Sequence, residues 1–183
     1  MFGYGNAGSV SSLTNKVSIS GVVASDTSGV GTARQFPAAA RYGTDKAIFA
    51  FGSTNKANLV SNTGVVSADV DGVGSSKEYL AGAGYGGDKA IMGYGVTSGN
   101  TAVTNLINNL GVVGADVSGV GTARHNLSAA SYGGDKAIFG YGNTGSNVSM
   151  TNLVNNSGVV AADVTGVGTG RAGLVAGEYS TSA

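Results

Sequence analysis

Ile138-Phe139-Gly140-Tyr141-Gly142 is written four times in this chain: it returns as Ile91-Met92-Gly93-Tyr94-Gly95, as Ile48-Phe49-Ala50-Phe51-Gly52 and, at the very start, as Met1-Phe2-Gly3-Tyr4-Gly5. The aromatic residues Tyr4, Phe51, Tyr94 and Tyr141 stand 47, 43 and 47 residues apart, and counting on from Tyr141 across the chain ends to Tyr4 gives 46. A repeat that closes across the ends with an ordinary interval predicts a ring.

The third interval shows what one copy encodes. Arg124 to Ala130 is a short segment of small residues that ends in the turn Tyr132-Gly133-Gly134-Asp135. Lys136 to Gly142 reads as a strand, apolar or small on both faces, and a polar loop, 143–147, follows. Met150 to Asn156 and Val159 to Val164 read as two further strands, joined by the turn at Ser157-Gly158. Four short strands per 43–47 residues, with no helical periodicity, is the arithmetic of a propeller blade. Blades press on both neighbours, which suits strands apolar on both sides. The inner-strand candidates are Phe36–Ala40, Leu80–Gly84, Leu127–Ser131 and Leu174–Glu178, whose small residues fit a crowded axis.

Composition agrees. Of 183 residues 33 are glycine, and only 11% are charged; ordinary chains have about 7% and about 25%. The formal charge is zero with no basic run, which argues against a nucleic-acid partner. There is no cysteine, hence no disulfide or thiolate chemistry. No apolar run approaches the roughly 20 residues of a membrane span, so no membrane partner is expected. Phe2 is already in register with the repeat, so no signal peptide is expected and the protein should be made in a cytoplasm.

The order Arg, small apolar strand, Tyr-Gly-Gly, Ile-Phe-Gly, long loop, Val-Val, Gly-x-Gly-x-x-Arg resembles the kelch repeat, the four-stranded blade of a propeller superfamily, over nearly the whole chain. Arg34, Arg124 and Arg171, with Lys77 as the variant, match the basic residue that opens the kelch inner strand, and Gly86-Gly87 and Gly133-Gly134 fall in the following turn. The family's late-blade tryptophan is absent; Val-Val at 22–23, 65–66, 112–113 and 159–160 stands in that region. The wording Tyr-Gly-Gly-Asp-Lys-Ala-Ile-Phe-Gly-Tyr-Gly is also similar to repeats in proteins of tailed bacteriophages from aquatic environments. That second resemblance implies a virion location, with other virion proteins or a host-surface glycan as partners and several copies on a larger assembly.

The expected fold is therefore all-β: a single domain, 1–183, forming a four-bladed kelch-like propeller. Blade 1 takes 1–33 plus the C-terminal strand 172–179, which pairs with it and closes the ring. Blades 2, 3 and 4 take 34–76, 77–123 and 124–171.

Chemistry is sparse in the sequence. Some kelch propellers are copper radical oxidases, but those need a cysteine and histidine ligands, and this chain has only His125. No metal, cofactor or catalytic residue is assigned. Asp69-Val70-Asp71-Gly72 lacks the later ligands of a calcium loop and reads as a turn. Arg34, Lys77, Arg124 and Arg171 occupy equivalent positions, which suggests either a ring able to hold an anion or carboxylated sugar, or an ion pair inside each turn with the equally repeated Asp26, Asp69, Asp116 and Asp163. The copies differ at Phe36, Pro37, Arg41, Glu78, Tyr79, His125 and Glu178, and in loops 6–11, 53–57, 96–102 and 143–149. Variable polar loops on a rigid scaffold suit contact with a partner. The expectation is a non-enzymatic structural or binding module, with a lectin-like glycan binder as the alternative and a glycan-cleaving enzyme behind it.

Overall fold

A computed structural model describes residues 1–178, which contain strands and no helix. The first module holds β1 (Phe2–Asn6) and β2 (Val10–Asn15). The second holds β3 (Ala38–Tyr42), β4 (Lys46–Ala50), β5 (Lys56–Val60) and the two-residue β6 (Val70–Asp71). The third holds β7 (Ala81–Tyr85), β8 (Lys89–Gly93) and β9 (Thr104–Ile107), and the fourth β10 (Ser128–Tyr132), β11 (Lys136–Asn143) and β12 (Asn147–Val154). Each module is one antiparallel meander in chain order.

The expected fourth strand is mostly an irregular edge, held by isolated pairs such as Thr104↔Val117, Ile107↔Val113, Thr151↔Val164 and Val154↔Val160. An asparagine side chain on the third strand explains the irregularity. Asn58, Asn105 and Asn152 donate Nδ2 to the carbonyls of Ser67, Gly114 and Ala161, at 3.0 Å in each case. A side chain thus occupies the place where a ladder bond would run.

The cores lie between modules. One joins Tyr42, Ile48 and Phe51 of the second module to Leu80, Met92, Ile107 and Val113 of the third. The next joins Tyr85, Ile91 and Tyr94 to Leu127, Phe139, Val154 and Val160. Large side chains buried there each contribute about 1.5–3 kcal/mol, so a module on its own would lose most of its core. Inner strands β3, β7 and β10 pack side by side through small residues; Ser131 Oγ donates to the Gly84 carbonyl at 3.0 Å.

Two details depart from expectation. Inner strands start two residues or one residue late, because Phe36, Tyr79 and Asn126 hold positive φ of 56°, 55° and 52° and cannot extend the ladder. The clasp expected of 172–179 on β1 is not formed among the described residues. The only strand that pairs with β1 among the described residues is β2, and 174–178 take no strand. Ala172, Gly173, Ala176 and Gly177 offer little surface to bury, and Val175 is 93% exposed. Tyr179 lies outside the described residues.

The repeated aromatic sits at a kink. Tyr4, Phe51, Tyr94 and Tyr141 have φ of 64°, 66°, 61° and 62°, a left-handed conformation that bulky residues rarely adopt. The register of β1 with β2 and of β11 with β12 shifts at this point, as at a β-bulge that re-aims one side chain. The following Gly95 has φ 98°, and a Cβ there would collide with the carbonyl oxygen of Glu78. Gly95→Ala is therefore expected to lower unfolding free energy by about 2 kcal/mol or more in urea titration. Gly99→Ala, in open space, should stay within about 0.5 kcal/mol. Equal effects would remove the kink from the account.

Candidate functional site

The kink aims each aromatic ring at a cation from the next segment of chain. Arg34 lies over the Tyr4 ring with 3.9 Å to the centroid, Lys77 over Phe51 at 4.5 Å, Arg124 over Tyr94 at 4.4 Å and Arg171 over Tyr141 at 4.1 Å. The backbone repeats the link: Gly5, Gly52, Gly95 and Gly142 donate N–H to the carbonyls of Arg34, Lys77, Arg124 and Arg171 at 2.8–3.0 Å. A tyrosine adds a bond of its own, as Tyr4, Tyr94 and Tyr141 donate to the carbonyls of Val30, Val120 and Val167.

On its other side each inner cation meets the module that follows. Arg34 Nη2 donates to Asn58 Oδ1 at 2.6 Å, Lys77 Nζ to Asn105 Oδ1 at 2.5 Å, and Arg124 Nη2 to Asn152 Oδ1 at 2.8 Å. Asp69, Asp116 and Asp163 stand 3.9, 3.4 and 3.9 Å from the same three cations. Each aspartate is fixed by the residue two before the cation: Thr32, Ser75 and Thr122 give both N–H and hydroxyl to Asp69, Asp116 and Asp163. Arg34, Lys77 and Arg124 are all but completely buried. They bridge modules and have little surface to offer an anion; Arg171 alone of the four is exposed.

Each of the three buried cations pairs with the aspartate of the following turn and not with the one in its own. Arg34 pairs with Asp69 and not with Asp26, which instead receives Asn15 Nδ2 at 2.8 Å. The asparagines have a sequence signal of their own, since Leu13-Thr14-Asn15, Ala57-Asn58-Leu59, Thr104-Asn105-Leu106 and Thr151-Asn152-Leu153 repeat a polar residue on an otherwise apolar strand. A recurring buried amide requires a recurring buried partner.

Burial lowers the Lys77 ammonium and Arg124 guanidinium from their usual values, and it pushes the Tyr94 hydroxyl up to about 12 against the pull of Arg124. Burial also raises the Asp116 carboxyl, but bonds from Ser75 and Asn105 and the charge of Lys77 outweigh it and bring it down to about 2. Asp69 and Asp163 are lowered by the same balance. Among the described residues one buried polar side-chain atom lacks a bond, Arg34 Nε; in the third joint Arg124 Nε reaches the Tyr141 carbonyl at 2.8 Å.

Parts of the two variable zones meet. The residue after each inner cation bonds the loop of the preceding module: Asn6 donates to Gln35 at 3.0 Å, Ser53 to Glu78 at 2.5 Å, and Asn100 Oδ1 faces His125 Nδ1 at 2.8 Å. Between them Phe36 stacks on Tyr79 with 4.0 Å between centroids, and His125 stands edge-on to Tyr79 at 6.2 Å. Phe36 is 39% exposed, and its left-handed backbone, shared by Tyr79, is the kind of strain that concentrates at functional surfaces. Arg41 and Glu178 lie elsewhere, in a small cleft that they share with their repeat equivalents Gly84 and Ser131. Asp45-Lys46, Asp88-Lys89 and Asp135-Lys136 form local pairs of 2.9, 2.9 and 2.7 Å on partly exposed turns, where solvent screening leaves them little weight in stability. Among the described residues no group of three or more His, Cys, Asp or Glu gathers to hold a metal.

No family model matches the chain, and no curated protein matches it.

The depressed carboxyls predict acid lability. A carboxyl lowered on folding adds stability above its unfolded value, 3.8 for Asp116, and loses it as pH falls toward the folded value of about 2. Thermal midpoints should fall between about pH 4 and pH 2. Asp116→Asn, destabilising at pH 6, should differ less from the parent at pH 2. A difference that stays constant across that range would contradict the joint.

Proposed function

We propose that the chain is a non-enzymatic structural and binding module whose four repeats act as kelch-like propeller blades. We place it in a bacteriophage virion or appendage, where it contacts a neighbouring protein or a host-surface glycan. One observation carries the binding half of this reading: Phe36, Glu78, Tyr79 and His125, four of the positions at which the repeats differ, gather with loop residues Ser53 and Asn100 around the stacked pair Phe36 and Tyr79. The repeated cations are spent on holding modules together, so the conserved part of each repeat serves the scaffold and the variable part is left for recognition. The virion location draws its support from the wording of the repeat alone.

A glycan ligand is favoured by the chemistry of that cluster. Aromatic rings offer the apolar faces of sugars a flat contact, and Glu78, Asn100 and His125 stand beside them with hydroxyl-bonding groups. Single contacts of this kind are weak. Several copies on one particle would gain avidity without any new contact.

Phe36→Ala and Tyr79→Ala should each lower binding on a panel of host-surface glycans at least tenfold with the fold intact by circular dichroism, while Thr63→Ala, on a distant turn, should leave it unchanged. Loss of binding with copurification on intact particles supports the whole reading. Binding that survives both substitutions, or turnover of the bound glycan, would overturn it.

A further inference from the structure

The joint between modules is built three times in full, and its two halves are left over at opposite ends of the array. At the C-terminal end Arg171 lies on the Tyr141 ring, and Tyr141 bonds the Val167 carbonyl, as Arg124 and Tyr94 do with Val120. Yet among the described residues Arg171 forms no ion pair, and its guanidinium bonds only the Thr169 carbonyl, at 3.3 Å. Among the described residues Thr169, the equivalent of Thr122, donates to no carboxylate. At the N-terminal end the receiving half is preassembled. Asn15 Nδ2 bonds the Ala24 carbonyl and Asp26 Oδ1 at 3.2 and 2.8 Å, repeating the bonds of Asn152 to Ala161 and Asp163. Asn15 Oδ1 and Asp26 Oδ2, whose equivalents accept the cation and the threonine, receive no bond among the described residues.

Apolar surfaces divide in the same way. Phe2 is 63% exposed where Phe139 is fully buried under Tyr94. Val23 is 52% exposed where Val160 is 8%. The rings of Tyr42 and Tyr85 press on Gly111 and Gly158, whereas no described residue comes within 4 Å of the Cβ position at the equivalent Gly21, and Tyr132 stands half-buried at the other end. No hydrogen bond or ion pair joins residues 1–33 to residues 134–178 in the single chain. The three finished joints fix each module on the next, and the two half-joints do not meet.

We infer that the C-terminal half-joint of one molecule docks on the N-terminal half-joint of a second copy. Thr169 then binds Asp26 of the next molecule, Arg171 reaches its Asn15 and Asp26, and Tyr141 covers its Phe2. The contact is heterologous: repeated, it gives a larger closed ring or a filament according to the angle per molecule. This inference is independent of the binding face, which takes no part in it.

Because the chain has no cysteine, engineered pairs test the contact cleanly. The pair Thr122→Cys with Asp163→Cys calibrates it, since those side chains already touch within one molecule. Single variants Asp26→Cys and Thr169→Cys, mixed and oxidised, should give a dimer linked between positions 26 and 169, and the parent chain should sediment as multimers that grow with concentration. Arg171→Glu should weaken that association at least tenfold and Asp26→Arg likewise, with unchanged circular dichroism. A double variant Asp26→Cys with Thr169→Cys that closes within single monomers would overturn the inference in favour of a ring made by one molecule. So would a parent chain that remains monomeric at millimolar concentration.

Discussion

A cation buried between an aromatic ring and an asparagine–aspartate pair holds each module to the next, and the remaining features follow from it. The ring and cation belong to consecutive segments of chain, and the amide and carboxylate to the sheet beyond. Removing a guanidinium from water costs several kcal/mol, which is recovered only where its geometry is good and its N–H groups are bonded. The joint meets this demand with a ring face, an amide oxygen, a carboxylate and backbone carbonyls. It also requires a ring turned out of its strand, which is why an aromatic residue with positive φ precedes a glycine in all four copies.

Such a joint fixes register as well as distance. An apolar seam alone would let neighbouring sheets slide, because small alternating side chains offer few distinctive contacts. A directional cation that must reach one amide and one carboxylate allows a single placement. The asparagine serves two purposes, since the same side chain bonds the edge segment that carries the aspartate. Edge irregularity and joint formation are therefore one event, and the poorly formed fourth strand is part of the linkage.

Much of this was legible in the sequence. The Ile-Phe-Gly-Tyr-Gly phrase, the glycine turns and the absence of helical periodicity gave the four modules, their strand order and the apolar character of both faces. The equivalence of Arg34, Lys77, Arg124 and Arg171 was also plain, but equivalence does not reveal depth or direction. Cations repeated at one position look alike whether they line a mouth or lie inside seams. Asp26 and Asp69 are likewise identical in pattern, and only the packing of one sheet on another decides that Arg34 takes the second. Phe36, Tyr79 and His125 could be picked out as departures from the repeat, while the left-handed backbones of Phe36, Tyr79 and Asn126 around which they meet are announced by no local motif.

The seams and the variable face are built from different residues of the same repeat, the buried cations on one hand and Phe36, Tyr79 and His125 on the other. The seam itself is tested most directly by a double-mutant cycle on Arg124→Met and Asn152→Ala, followed by urea unfolding. If the buried cation and its amide act as one linkage, the two losses should fall short of additivity by about 2 kcal/mol. Losses that add to within about 0.5 kcal/mol would contradict the account.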